Sequence, residues 1–128
     1  MAAVDTNILV RLVTRDDPEQ YAKALEFLNR NKPVWVAHLT VLELAWVLSC
    51  CYKVDKGRVC AVVRMLLDAA EFNVQQPAVL EAALDRWEAS GIDFADAFIL
   101  ESARAASEIP LATFDARLGR LDGAHLLE

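Results

Sequence analysis

Short apolar segments alternate with amphipathic ones from one end of this chain to the other, and that alternation constrains its fold more than any other feature. Strands are expected at Ala2-Ala3-Val4, Pro33 to Ala37, Glu71 to Gln75, Pro110 to Thr113 and Ala124 to Leu127. Between them run helical patterns. From Asp16 to Arg30, Tyr21, Ala24, Leu25 and Leu28 recur at i, i+3, i+4 and i+7, the stripe of one helix face. Further helices are predicted from about Asn7 to Val13, from Leu39 to Tyr52, and after an Asp55 cap with a stripe of Val59, Val62, Val63, Leu66 and Leu67. Others run from Pro77 to Gly91, from Asp93 to Glu108 and, briefly, from Ala116 to Leu121. Strands joined through crossover helices run parallel and are covered on both faces. The fold class is therefore α/β, and 128 residues make one domain, 1–128. Because Leu39 to Tyr52 is apolar almost all round, that helix is expected to be buried. Trp35, Trp46 and Trp87 are assigned to core faces, and Cys50, Cys51 and Cys60 to buried thiols.

Composition narrows the function. The hydrophobic share is 55%, enough for a core, while 13 basic against 19 acidic residues leave a net charge of −6. Such a chain has no general electrostatic affinity for DNA or anionic membranes. Three cysteines without framework spacing point to a reducing compartment, so a cytoplasmic location is expected. The N-terminus has no basic region and meets Asp5 at once, unlike a signal peptide. No apolar stretch approaches a bilayer span, so no membrane role is expected.

Most acids lie on helix faces that read as solvated, among them Glu19, Glu26, Glu81, Glu88, Glu101 and Glu108. The informative ones stand in apolar company. Asp5 ends the first strand, at the sheet edge where open parallel sheets bind ligands, although capping the next helix would equally explain it. Glu43 is the only charge between Leu39 and Leu48, and burying it unpaired would cost several kcal/mol. It is expected to be paired, protonated or metal-bound. Asp93 and Asp96 are one helical turn apart; Asp93 is assigned as an N-cap, whereas Asp96 falls off the polar stripe of its helix. Asp115 ends another strand. Four converging carboxylates would repel by roughly 4 kcal/mol per pair at 4 Å and a dielectric of 20. A divalent cation removes that cost, and all-oxygen ligands select Mg²⁺ or Mn²⁺. His38 and His125 are isolated, which argues against zinc.

With Val4-Asp5-Thr6-Asn7-Ile8-Leu9, Glu43, Asp93-Phe94-Ala95-Asp96-Ala97-Phe98-Ile99 and Thr113-Phe114-Asp115 in sequence, the chain resembles the PIN-domain ribonucleases. In length and motif order it is similar to the VapC-type toxins of toxin–antitoxin pairs. The resemblance implies a three-layer α/β/α sandwich around a parallel sheet. It assigns Asp5, Glu43 and Asp96 to the family's core acids and Asp115 to the fourth, all four as metal ligands and catalytic residues. Asn7, Thr113 and Asp93 become auxiliary polar positions. It implies Mg²⁺- or Mn²⁺-dependent endonucleolytic cleavage of RNA by metal-activated water, a homodimer, and a cognate antitoxin as partner. The helices over 16–30 and 55–70 are expected to offer that antitoxin an apolar groove. Arg11, Arg15, Arg117 and Arg120 flank the acids and are candidate phosphate contacts.

Two enzymatic rivals fall. Haloacid-dehalogenase-type phosphatases need an acid where this chain has Asn7, and they and receiver domains need a late lysine, whereas the last here is Lys56. The remaining alternative is a non-catalytic PIN-like module that holds a structural metal or acts as a scaffold. The presence of all four acids speaks against it, because a scaffold would gain stability by replacing buried carboxylates with apolar residues.

Overall fold

The computed structural model describes residues 1–128, which form two compact units, Met1–Gln75 and Gln76–Glu128. In the first, the order is α1 (Thr6–Thr14), α2 (Pro18–Asn31), β1 (Val34–Val36), α3 (His38–Cys50), α4 (Lys56–Asp68) and β2 (Phe72–Val74). Strands β1 and β2 pair in parallel, with Trp35 opposite Asn73, after a crossover through α3 and α4. On its other edge β1 bonds to the N-terminal segment: Trp35 N–H donates to the Ala2 carbonyl at 2.8 Å, and Val4 N–H to the Trp35 carbonyl at 3.2 Å. That segment is a single parallel bridge at Ala3, shorter than the strand expected there. With both edges paired, β1 is the centre of this sheet, and Val34 and Val36 are fully buried.

The helix α3 differs from expectation. Val41, Leu44, Ala45 and Leu48 are buried, but Leu39 and Trp46 on the opposite face are 60% and 62% exposed. A helix apolar all round carries no periodicity to distinguish its packed face from its open one. Cys50 and Cys51 are likewise exposed, and only Cys60 is buried. Trp35, on the outward side of β1, is exposed as well.

The second unit begins with α5 (Pro77–Ser90) and α6 (Phe94–Ala105), then β3 (Leu111–Thr113), a 3-10 turn (Leu118–Arg120) and β4 (Ala124–Leu126). Gly91 ends α5 in the left-handed region at φ +73°, where a Cβ would be strained. Helices α5 and α6 pack along Leu80, Leu84, Ala97 and Leu100, all fully buried, and half-buried Trp87 stacks on Phe94 at 5.0 Å. Strands β3 and β4 pair in parallel, with Ala112 opposite His125. All strand pairing in the molecule is parallel, as the crossovers require, so the α/β class stands. The hydrogen bonds form two two-stranded sheets, one in each unit. Gly119 is needed where the 3-10 turn crosses β4, since a Cβ there would lie 2.7 Å from the Leu126 Cβ.

Glu101 corrects the sequence expectation most directly. It is 8% exposed rather than solvated. Its carboxylate accepts from Arg86 Nε of α5 at 2.8 Å and pairs with Arg104 Nε, one turn on, at 3.5 Å. Two guanidiniums make its burial tolerable. Glu101→Ala is expected to cost about 2–3 kcal/mol in urea unfolding, because it leaves two half-buried guanidiniums without their shared carboxylate. Replacing Arg86 and Glu101 together by Met and Leu should recover most of that loss; a double variant no better than the single would contradict the pairing.

Candidate functional site

In the first unit, Asp5 is extended (φ −95°, ψ −178°) and caps α1, its Oδ1 accepting from Ile8 N–H at 3.1 Å. The capping role is therefore real, and it engages one carboxylate oxygen. The side chain is exposed and lines a cleft of about 530 Å³ together with Asn7, Arg11, Lys23 and Phe27. Arg11 is held inside the fold: its Nε donates to Gln20 Oε1 at 2.6 Å, and its Nη1 to Asp16 Oδ1 at 2.9 Å and Tyr52 Oη at 3.3 Å. Tyr52 Oη in turn donates to Asp16 Oδ2 at 2.7 Å, and these bonds hold the Asp16 carboxyl below its ordinary range. Arg11 thus ties the end of α3 to the α1–α2 connection and is committed to that task. Lys23 was not singled out by its sequence context. It pairs only with Glu19, at 3.2 Å on an open helix face, a contact of small strength. Arg15 lies over the Tyr21 ring at 4.9 Å.

Glu43 is exposed, not buried among leucines. It shares the open face of α3 with Leu39 and Trp46, one turn to either side, so water reaches it freely. The argument from a buried unpaired charge does not hold for this residue; what remains for it is its correspondence to the family's acid.

The second unit brings three of the acids into mutual influence. Asp93 occupies the N-cap position of α6, yet its side chain makes no capping bond, contrary to the role assigned to it. Asp96, in the first turn of α6, is half-buried. Burial foremost, and then the charges of Asp93 and Asp115, push its carboxyl above the ordinary carboxylate range. Asp115 is fixed by its turn: Oδ1 accepts from Arg117 N–H at 2.8 Å and Leu118 N–H at 3.1 Å, while its own N–H donates to Thr113 Oγ1 at 3.0 Å. Thr113 is therefore a turn former. Arg117 and Arg120 are exposed.

No three His, Cys, Asp or Glu side chains stand preset to hold a metal ion. The donors of the second unit nonetheless fit a hard divalent cation: they are carboxylate oxygens only, and their repulsion is what a cation would remove.

A carboxyl whose pKa is raised by folding favours the folded state below its unfolded value, near 3.8, and that advantage is lost as pH rises through the folded pKa. Asp96→Asn should therefore raise the melting temperature at pH 7 in metal-free buffer, by a degree or two, with the gain vanishing at pH 3. A lower melting temperature for the variant at pH 7 would refute the repulsion.

The PIN domain family profile matches residues 2–124, and no curated protein matches the chain. PIN domains are typically nucleases that act on nucleic acid and generally bind divalent metal ions. No helix of the protein is long and apolar enough to cross a membrane. Parallel strands linked by helices, acids at the ends of two of those strand segments, and a match over nearly the whole length agree: the chain belongs to the PIN domain family.

Proposed function

We propose that the chain is one PIN-like nuclease domain, 1–128, acting in the cytoplasm as a Mg²⁺- or Mn²⁺-dependent endoribonuclease. The observation that carries the proposal is the PIN family match over residues 2–124, supported by the half-buried Asp96 in the first turn of α6, whose carboxyl is pushed up by burial and then by the charges of Asp93 and Asp115. Asp5, Glu43, Asp96 and Asp115 are the proposed metal ligands. A bound divalent ion would supply Lewis-acid activation of water and shield the phosphate charge. The chain's part is to hold its carboxylates still. Two backbone N–H groups fix one oxygen of Asp115, one fixes an oxygen of Asp5, and the first turn of α6 fixes Asp96. Asn7 and Thr113 are the side chains that orient water or phosphate by hydrogen bonds.

The toxin role, a homodimer and a cognate antitoxin belong to the same proposal, supported by motif order. An apolar groove of about 240 Å³ suits an antitoxin helix, but it is lined from α1 and α4, by Leu9, Leu12, Val13, Val62 and Met65 among others. The helix over 18–31 does not line it, so only one of the two expected helices contributes.

The decisive experiment incubates the purified protein with total RNA and Mg²⁺ or Mn²⁺ and maps the new ends. Asp5→Asn and Asp96→Asn should each reduce cleavage at least 100-fold while remaining folded. Glu43→Ala should also lose cleavage, with stability changed by less than about 0.5 kcal/mol because the side chain is exposed. Millimolar Mg²⁺ or Mn²⁺ should raise the melting temperature by binding only the folded state. Metal-induced stabilisation without cleavage would instead favour the scaffold alternative.

A further inference from the structure

Phe114 is the most open aromatic side chain of the protein, 81% exposed. It sits in a turn that does not need it. The turn is held by the Thr113 hydroxyl, which accepts from Asp115 N–H, and by Asp115 Oδ1, which accepts from Arg117 and Leu118 N–H groups. Gly119 N–H closes it on the Asp115 carbonyl at 2.9 Å. Any polar residue at position 114 would leave those bonds in place, and a polar residue would not hold a large apolar ring in water. The backbone beneath the ring is rigid, so a partner meeting it meets a preorganised surface.

Three neighbours indicate the partner. Asp115, the next residue, is one of the proposed metal ligands, so the ring stands at the edge of the proposed site. Arg117 is exposed, and the ion pairs of this unit leave it unengaged. The residues on either side of the ring in sequence, Thr113 and Asp115, are polar. An open aromatic ring and an unengaged guanidinium carried by one turn match one ligand chemistry well, a base joined to a phosphate.

We propose that Phe114 and Arg117 form a nucleotide subsite beside the acid cluster: an unpaired base of single-stranded RNA stacks on the Phe114 ring, and Arg117 takes an adjoining backbone phosphate. The subsite rests on the nuclease proposal, and adds to it a binding role for Phe114, the aromatic residue between Thr113 and Asp115. Bases inside a duplex are stacked on one another, so the ring selects unpaired nucleotides.

The test uses the full chain and a fluorescent single-stranded RNA of about 12 nucleotides, within the range that such sites cover, in Ca²⁺ with the RNA verified intact. Phe114→Ala should weaken binding about ten-fold. Phe114→Trp should bind at least as well as wild type, and Phe114→Leu should stay weak, since a leucine restores apolar area but not a stacking face. Arg117→Ala should weaken binding and lower the salt slope by about one phosphate. The melting temperatures of the Phe114 variants should match wild type. Phe114→Ala binding as tightly as wild type, or full rescue by leucine, overturns the subsite. So does a changed sedimentation coefficient for Phe114→Ala without RNA, which assigns the ring to a contact between protein chains. If Phe114→Ala binds weakly while Asp96→Asn still cleaves, the subsite stands and the nuclease assignment of the acids falls. If Asp96→Asn is inactive and Phe114→Ala binds normally, the subsite alone falls.

Discussion

Carboxylates removed from water must be met by positive charge, and this protein meets that demand in two ways within a single helix. Glu101, near the end of α6, is buried with two arginines about it. Asp96, one and a half turns earlier, is half-buried with acids about it. The helix that carries both is packed on α5 through Leu80, Leu84, Ala97 and Leu100 and tied to it by the Glu101–Arg86 pair, and so keeps Asp96 where burial and neighbouring acids oppose its charge. Packing and an ion pair along α6 thus sustain an electrostatic conflict in its first turn. Such a conflict persists in a fold only when the surrounding packing over-determines it.

Aspartates at chain turns do much of the remaining positioning. Asp17 and Asp55 cap α2 and α4 by accepting from Gln20 and Arg58 N–H groups at 3.1 and 2.9 Å. Asp5 and Asp115 use the same geometry, yet each is exposed and stands just after a strand-like segment. Capping and ligand binding are compatible because a carboxylate has two oxygens and the cap occupies one. Asp93 is the exception: it has the cap position of α6 and no cap bond, so both its oxygens remain unengaged by the backbone. Helix capping alone accounts for Asp17 and Asp55; it leaves the charge of Asp93 unexplained.

The elements were legible because periodicity and punctuation agreed. Pro18, Asp55, Pro77 and Gly91 stand at helix ends where the chemistry of caps puts them, and each strand but the first appears within a residue or two of its apolar run. Burial was less legible. Glu43 and Glu101 exchanged their expected environments because sequence shows only neighbours along a helix. Apolar neighbours at Leu39 and Trp46 could not reveal that their face is open, and the polar spacing from Glu101 to Glu108 could not reveal Arg86 arriving from another helix. The engagement of Arg11 with Tyr52, 41 residues away, was hidden for the same reason. The acid motifs themselves were visible, since an Asp within an apolar helix start or at a strand end departs from local pattern wherever it is finally packed.

A net charge of −6 on a nucleic-acid enzyme is then a matter of where positive charge is free rather than how much there is. Several basic side chains are spent on acids of the fold: Arg11 on Asp16, Arg30 on Glu26, and Arg86 and Arg104 on Glu101. Arg117 and Arg120 are not so engaged, and both follow Asp115 within a few residues. The long-range field repels a polyanion, so affinity must come from short-range contacts made after encounter, in which stacking on an aromatic ring is insensitive to that field. An acidic nuclease of this kind gains selectivity from the arrangement. With the proposed subsite, duplexes and bulk nucleic acid, which bind through phosphate charge, would be disfavoured, and a strand that offers an unpaired base together with its phosphate would be retained.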